Sequence, residues 1–99
     1  YGVPVEEIQQ GIKHGVRKVN IDTDLRLAST ASIRKFLADN PAEFDPRKYL
    51  AVSQKAMKDV VIARYEAFGT SGNADKIQAK SLESMFIQYA AGELAPMIA

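Results

Sequence analysis

The chain contains a single run suited to a β-strand, and a single strand cannot pair with itself. Val16, Val19 and Ile21 are β-branched and closely spaced, the pattern of a short buried strand over residues 16–21. Both faces of the run are apolar, as in a parallel sheet covered on both sides. Everything else with a clear pattern has helical spacing or turn chemistry. Unpaired buried N–H and C=O groups are costly. Something outside these 99 residues has to cover the strand.

The helices are marked by their ends. Pro4 suits a first helical turn, Val5, Ile8 and Ile12 share one stripe, and Gly15 is a stop. Gly11 inside that helix costs roughly 1 kcal/mol relative to Ala, so packing has to support it. A second helix is predicted over 24–39, with Leu27, Ala28, Ala31, Phe36 and Leu37 inward, ended by Asn40-Pro41. Asp45-Pro46, a cap followed by proline at the first helical position, opens a third. In it Tyr49, Leu50, Ser53, Ala56, Met57, Val60, Val61, Arg64, Tyr65 and Phe68 recur at helical spacing up to Gly69. Residues 69–80 form a linker, turn-rich over 69–76. Ser81 caps a last helix over 82–91, with Leu82, Met85, Phe86 and Tyr89 on one side and Gly92 as its stop. The organisation is therefore α/β: a helix–strand–helix unit over 1–40, then a helical extension over 41–99.

The junction between strand and second helix is the place for chemistry. Asp22, Thr23 and Asp24 are good N-cap residues, and the unpaired amides and positive dipole end of a helix start favour a phosphate. Asn20 adds a donor and an acceptor at the strand's carboxyl end. Thirteen basic against twelve acidic side chains give a net charge of +1, which argues against a dedicated nucleic-acid module. Lys13, Arg17 and Lys18 read as a wet surface, and the aromatics fall on apolar helical faces as core or subunit contact. No apolar run is long enough to span a bilayer, so no membrane partner is expected. Absence of cysteine removes disulfides and thiolate metal sites. His14, the lone histidine, lacks a second ligand at suitable spacing and reads as structural or solvated.

Two runs carry a family resemblance: Lys18-Val19-Asn20-Ile21-Asp22-Thr23-Asp24 and Asp45-Pro46-Arg47-Lys48-Tyr49-Leu50. Together with Gly2-Val3-Pro4-Val5 and Arg64-Tyr65-Glu66-Ala67-Phe68-Gly69, they make nearly the whole chain resemble the carboxyl-terminal part of a class II fructose-1,6-bisphosphate aldolase. Such a fold is a (β/α)8 TIM barrel of about 250 residues. The resemblance thus implies the last αβα piece of an incomplete barrel plus a helical tail, excised or truncated.

It further implies reversible cleavage of fructose 1,6-bisphosphate to dihydroxyacetone phosphate and glyceraldehyde 3-phosphate, in glycolysis or the Calvin cycle. Asn20 is implied as the catalytic residue supporting the enediolate, and Asn20, Ile21, Asp22 and Thr23 as the phosphate loop. Arg26, Arg47 and Arg64 are rival cations for the second phosphate. Asp45 would meet sugar hydroxyls, with Asp45 and Arg47 coming from a neighbouring subunit. Lys18 is expected to face away from substrate. The divalent metal, zinc, polarises the ketone and takes its ligands outside this segment. The parent is expected to be a cytoplasmic homo-oligomer, a dimer or tetramer, with a phosphorylated sugar and the rest of the barrel as partners. The isolated segment is expected to be inactive. A tagatose-bisphosphate aldolase segment and a non-catalytic helical interaction fragment are the alternatives.

Overall fold

A computed structural model describes residues 2–93. Its elements are α1 (Val5–Lys13), α2 (Thr23–Asp39), α3 (Pro46–Ala67), a 3-10 turn (Ala74–Lys76) and α4 (Leu82–Ala90). The expected helical extension runs on to 94–99, outside the described residues. Helix ends follow the local chemistry. The Asp45 carboxylate accepts the Arg47 N–H at 3.0 Å, with Pro46 opening α3. Ser81 Oγ accepts the Ser84 N–H at 3.1 Å to open α4. Pro4 occupies the cap position before α1 and not its first turn.

Gly69 closes α3 by adopting φ 73°, which only glycine takes without strain. That turn sends the Gly69 and Thr70 amides back to the Glu66 and Tyr65 carbonyls at 3.3 and 2.9 Å, so two otherwise orphaned carbonyls are satisfied. Gly11 has a packing reason. A side chain there would meet Val16 Cγ2 at 3.3 Å, so its missing methyl lets the chain leaving α1 fold back over the helix.

The strand expected over 16–21 does not form; among the described residues there is none. A strand needs a ladder partner for its N–H and C=O groups, and every candidate neighbour here is a helix. The run stays irregular from Val16 to Asp22. Val19 and Ile21 are half-buried and line a groove with Leu25, Val60, Val61, Arg64 and Tyr65.

Packing is concentrated in one antiparallel hairpin of α2 and α3. At its centre the Ser29 and Ser53 hydroxyls meet at 2.7 Å, and Ser53, 4% exposed, is the one buried residue among those described. Two small side chains sharing a hydrogen bond let the backbones approach without leaving a polar group unpaired. The inward side of α2 is Leu25, Ala28, Ser29, Ser32, Ile33 and Phe36, whereas Leu27, Ala31 and Leu37, expected inward, are exposed. On α3, Leu50 and Tyr65 likewise face out.

No apolar side chain among the described residues is buried. The accessible surface is 8461 Å², against about 5,600 Å² for a folded monomer of this size. The radius of gyration is 19.8 Å, where a closed domain of this length has about 13 Å. On α4, Leu82, Phe86, Ile87 and Tyr89 all face solvent.

Candidate functional site

At the start of α2, Asn20, Ile21, Asp22, Thr23 and Arg64 of the expected residues line one groove, and Arg26, Asp45 and Arg47 lie outside it. A groove of about 340 Å³ is lined by Val3, Ile8, Val19, Asn20, Ile21, Asp22, Thr23, Asp24 and Arg64. The first intrahelical bond of α2 runs from the Arg26 N–H to the Asp22 carbonyl at 3.1 Å. The amides of Thr23, Asp24 and Leu25 precede it and form the helix's donor end. Asp22 does not cap them with its side chain, as expected from its type. Its carboxylate instead accepts from Arg26 Nε at 2.9 Å. The consequence suits an anion, because the Asp22 side chain leaves the amides uncapped and the two carboxylates lining the groove, Asp22 and Asp24, each carry an arginine counter-charge.

Asn20 is exposed, and its Oδ1 accepts from the Lys18 ammonium. The Asn20 NH₂ group is thereby left as the donor side of the amide. Lys18 accordingly does not face away from the site as expected: positions two apart share a side of an extended run, and the Lys18 ammonium reaches Asn20.

The three candidate arginines separate. Arg26 stays with Asp22 in an exposed pair one turn into α2, outside the residues lining the groove. Arg47 makes a two-pronged contact with Asp45, Nε to Oδ1 at 3.0 Å and Nη2 to Oδ2 at 2.7 Å. The Arg47 side chain and then its backbone N–H hold the Asp45 carboxyl below its usual range. Lys48, then the Asp45 N–H, do the same for Glu43. Arg64 alone reaches the groove, with Nη2 3.1 Å from Asp24 Oδ2 and both side chains about one-quarter exposed. Arg47 and Arg64 stand near opposite ends of α3, about 25 Å apart at 1.5 Å per residue. One chain cannot bring both to the same phosphate. The Asp24–Arg64 pair is the feature that sequence inspection did not find; its members are 40 positions apart, and no local pattern joins them.

Among the described residues no group of three or more His, Cys, Asp or Glu could hold a metal ion, and Asp22, Asp24 and Asp45 each face an arginine. No helix among the described residues is long and apolar enough to cross a membrane.

Comparison with known proteins gives the same direction as the groove. A sequence model of the class II fructose-bisphosphate aldolase family matches residues 1–73, which include the whole of the Asn20–Asp24 loop and the α2–α3 hairpin. The chain belongs to this family. It is 72% identical over 98 residues to a fructose-bisphosphate aldolase of Stutzerimonas stutzeri, covering 99% of this chain and 28% of that protein. A fructose-bisphosphate aldolase of Pseudomonas aeruginosa is 70% identical over the same shares. Fructose-bisphosphate aldolase 2 of Rhodobacter capsulatus is 55% identical, with 97% of this chain aligned to 84% of it. The chain thus spans little more than a quarter of the length of the first two relatives. The family's barrel is the context that its unpaired strand sequence lacks.

Proposed function

We propose that this chain is the carboxyl-terminal segment of a metal-dependent aldolase that cleaves fructose 1,6-bisphosphate to dihydroxyacetone phosphate and glyceraldehyde 3-phosphate, acting in the cytoplasm. The observation that carries this is the groove gathering Asn20, Ile21, Asp22 and Thr23 at the uncapped start of α2, in a member of the aldolase family. Breaking the bond between the two halves of the sugar leaves its electron pair on the dihydroxyacetone phosphate half. The Asn20 NH₂ group donates to the oxygen that gains this charge, a bond that strengthens as the charge grows. The Thr23 hydroxyl and the first amides of α2 bind the phosphate, as helix starts do. Ile21 and Asp22 contribute backbone to the same loop, with the Asp22 carboxylate neutralised by Arg26.

The described residues do not form a metal-ligand cluster, and on this reading the rest of the barrel supplies the zinc ligands and the proton-transfer groups. For the second phosphate, the separation along α3 favours Arg47, with Asp45 on the sugar hydroxyls, both from a second copy in a dimer or tetramer. The Arg47 side chain is exposed, and a bidentate guanidinium suits phosphate.

The test is made in the intact parent enzyme. Thr23→Ala should raise KM for fructose 1,6-bisphosphate about tenfold and change kcat much less, because the phosphate is held equally in ground and transition states. Lys58→Ala, exposed on α3, is the control and should change neither. Unchanged KM in Thr23→Ala, or preference for tagatose 1,6-bisphosphate as substrate, would replace this function with another.

A further inference from the structure

The Asp24–Arg64 contact has an unusual position. Among the described residues it is the one ion pair that joins two helices; the other pairs lie within a helix or link a loop to the helix beside it. Asp24 stands in the first turn of α2, directly after Thr23. Arg64 stands in the last turn of α3 and lines the same grooves as Val19 and Ile21. The same end of α3 is tied to α1 by the Gln9 amide, which donates to the Ala67 carbonyl at 2.9 Å. The segment from Val16 to Asp22, lacking a ladder of its own, therefore runs between two anchors on one helix end. Because the pair is partly shielded on both sides, at about one-quarter exposure, it is less weakened by solvent than the exposed pairs.

Resting on the function proposed above, the geometry points to Asp24 and Arg64 as positioning residues that hold the Asn20–Thr23 loop in register with the start of α2, and not to Arg64 as a phosphate ligand. Arg64 acts through Asp24, and Asp24 through the backbone it shares with Thr23. One loop carries both the phosphate contacts and the Asn20 donor, so a slack pair misplaces both together. That gives a signature. Loss of a phosphate contact raises KM, loss of the Asn20 donor lowers kcat, and loss of the pair moves both parameters at once.

The experiment uses the intact, metal-loaded parent enzyme with Asp24→Asn, Asp24→Glu, Arg64→Lys and the double variant Asp24→Asn/Arg64→Lys. Binding of inorganic phosphate is measured beside kcat, KM and Tm. Misplacement by about 1 Å can cost on the order of 100-fold, so each of Asp24→Asn and Arg64→Lys should lose roughly 10- to 100-fold in kcat/KM through both parameters. Phosphate binding should weaken in parallel, the double variant should be no worse than either single one, and Asp24→Glu should recover part of the loss. If Arg64→Lys weakened phosphate binding while Asp24→Asn left it intact or tightened it, Arg64 would be a direct ligand and the assignment overturned. A fall in Tm with unchanged KM, kcat and phosphate binding would also overturn it, leaving a structural staple. Should Asp24→Asn fail to fold, Arg64→Lys, which keeps the charge, decides between these outcomes through the same split. Failure of the function itself reads differently: Thr23→Ala would then leave KM unchanged while the pair variants moved only Tm.

Discussion

In the intact parent enzyme, Asn20→Ala should lower kcat by roughly 100- to 1000-fold, the cost found when one preorganised donor to a developing oxyanion is removed. The effect falls on kcat more than on KM because the bond strengthens only as charge develops. The contact between the Lys18 ammonium and Asn20 Oδ1 sharpens the expectation, since it turns the donor side of the amide outward before substrate arrives. Steady-state kinetics on a folded, metal-loaded variant checks it. Near-normal kcat would remove Asn20 from the chemistry and leave Thr23 and the helix start as a binding site only.

The second large effect is complete loss. Residues 1–99 purified alone should show no cleavage of fructose 1,6-bisphosphate above background, with or without added zinc. The described residues offer no metal-ligand cluster, and the helix faces that should pack on a barrel lie open to solvent. Apolar surface on this scale also promotes association, so light scattering should show a self-associated species. Metal-dependent turnover by a monomer of this segment would overturn the assignment of ligands and proton-transfer groups to the remainder of the barrel. A soluble, inactive segment that bound a helical partner, in a parent lacking aldolase activity, would favour the interaction fragment.

What was legible in the sequence was local. Asp45-Pro46, Ser81 and Gly69 each mark a helix end by chemistry that acts within four residues, and each end is found there. The Asn20–Thr23 loop and its place before α2 were equally local. The strand is absent among the described residues because β-branched spacing reports a preference, while a strand exists only through its neighbour's hydrogen bonds. The inward face of α2 departs in part for a related reason: Ala28 and Phe36 lie inward as expected, and Leu27, Ala31 and Leu37 do not. Leu27 and Leu37 were expected inward on hydrophobicity, yet the surface that meets α3 is built on Ser29 and Ser32, where small size brings the backbones together. Of the three arginines, the Arg47–Asp45 contact was implicit in their adjacency. Arg64 and Asp24 meet only through the hairpin, so their partnership became visible with the fold.

The length of α3 has a genetic consequence. α3 holds Arg47 about 25 Å from Arg64; if, as proposed, Arg47 serves the site of a second copy, damage at Arg47 and damage at Asn20 fall on different sites of the assembly. Two alleles, each inactive alone, one altered at Asn20 and the other at Arg47, would then restore growth when co-expressed. A mixed pair contains one site in which both wild-type residues meet.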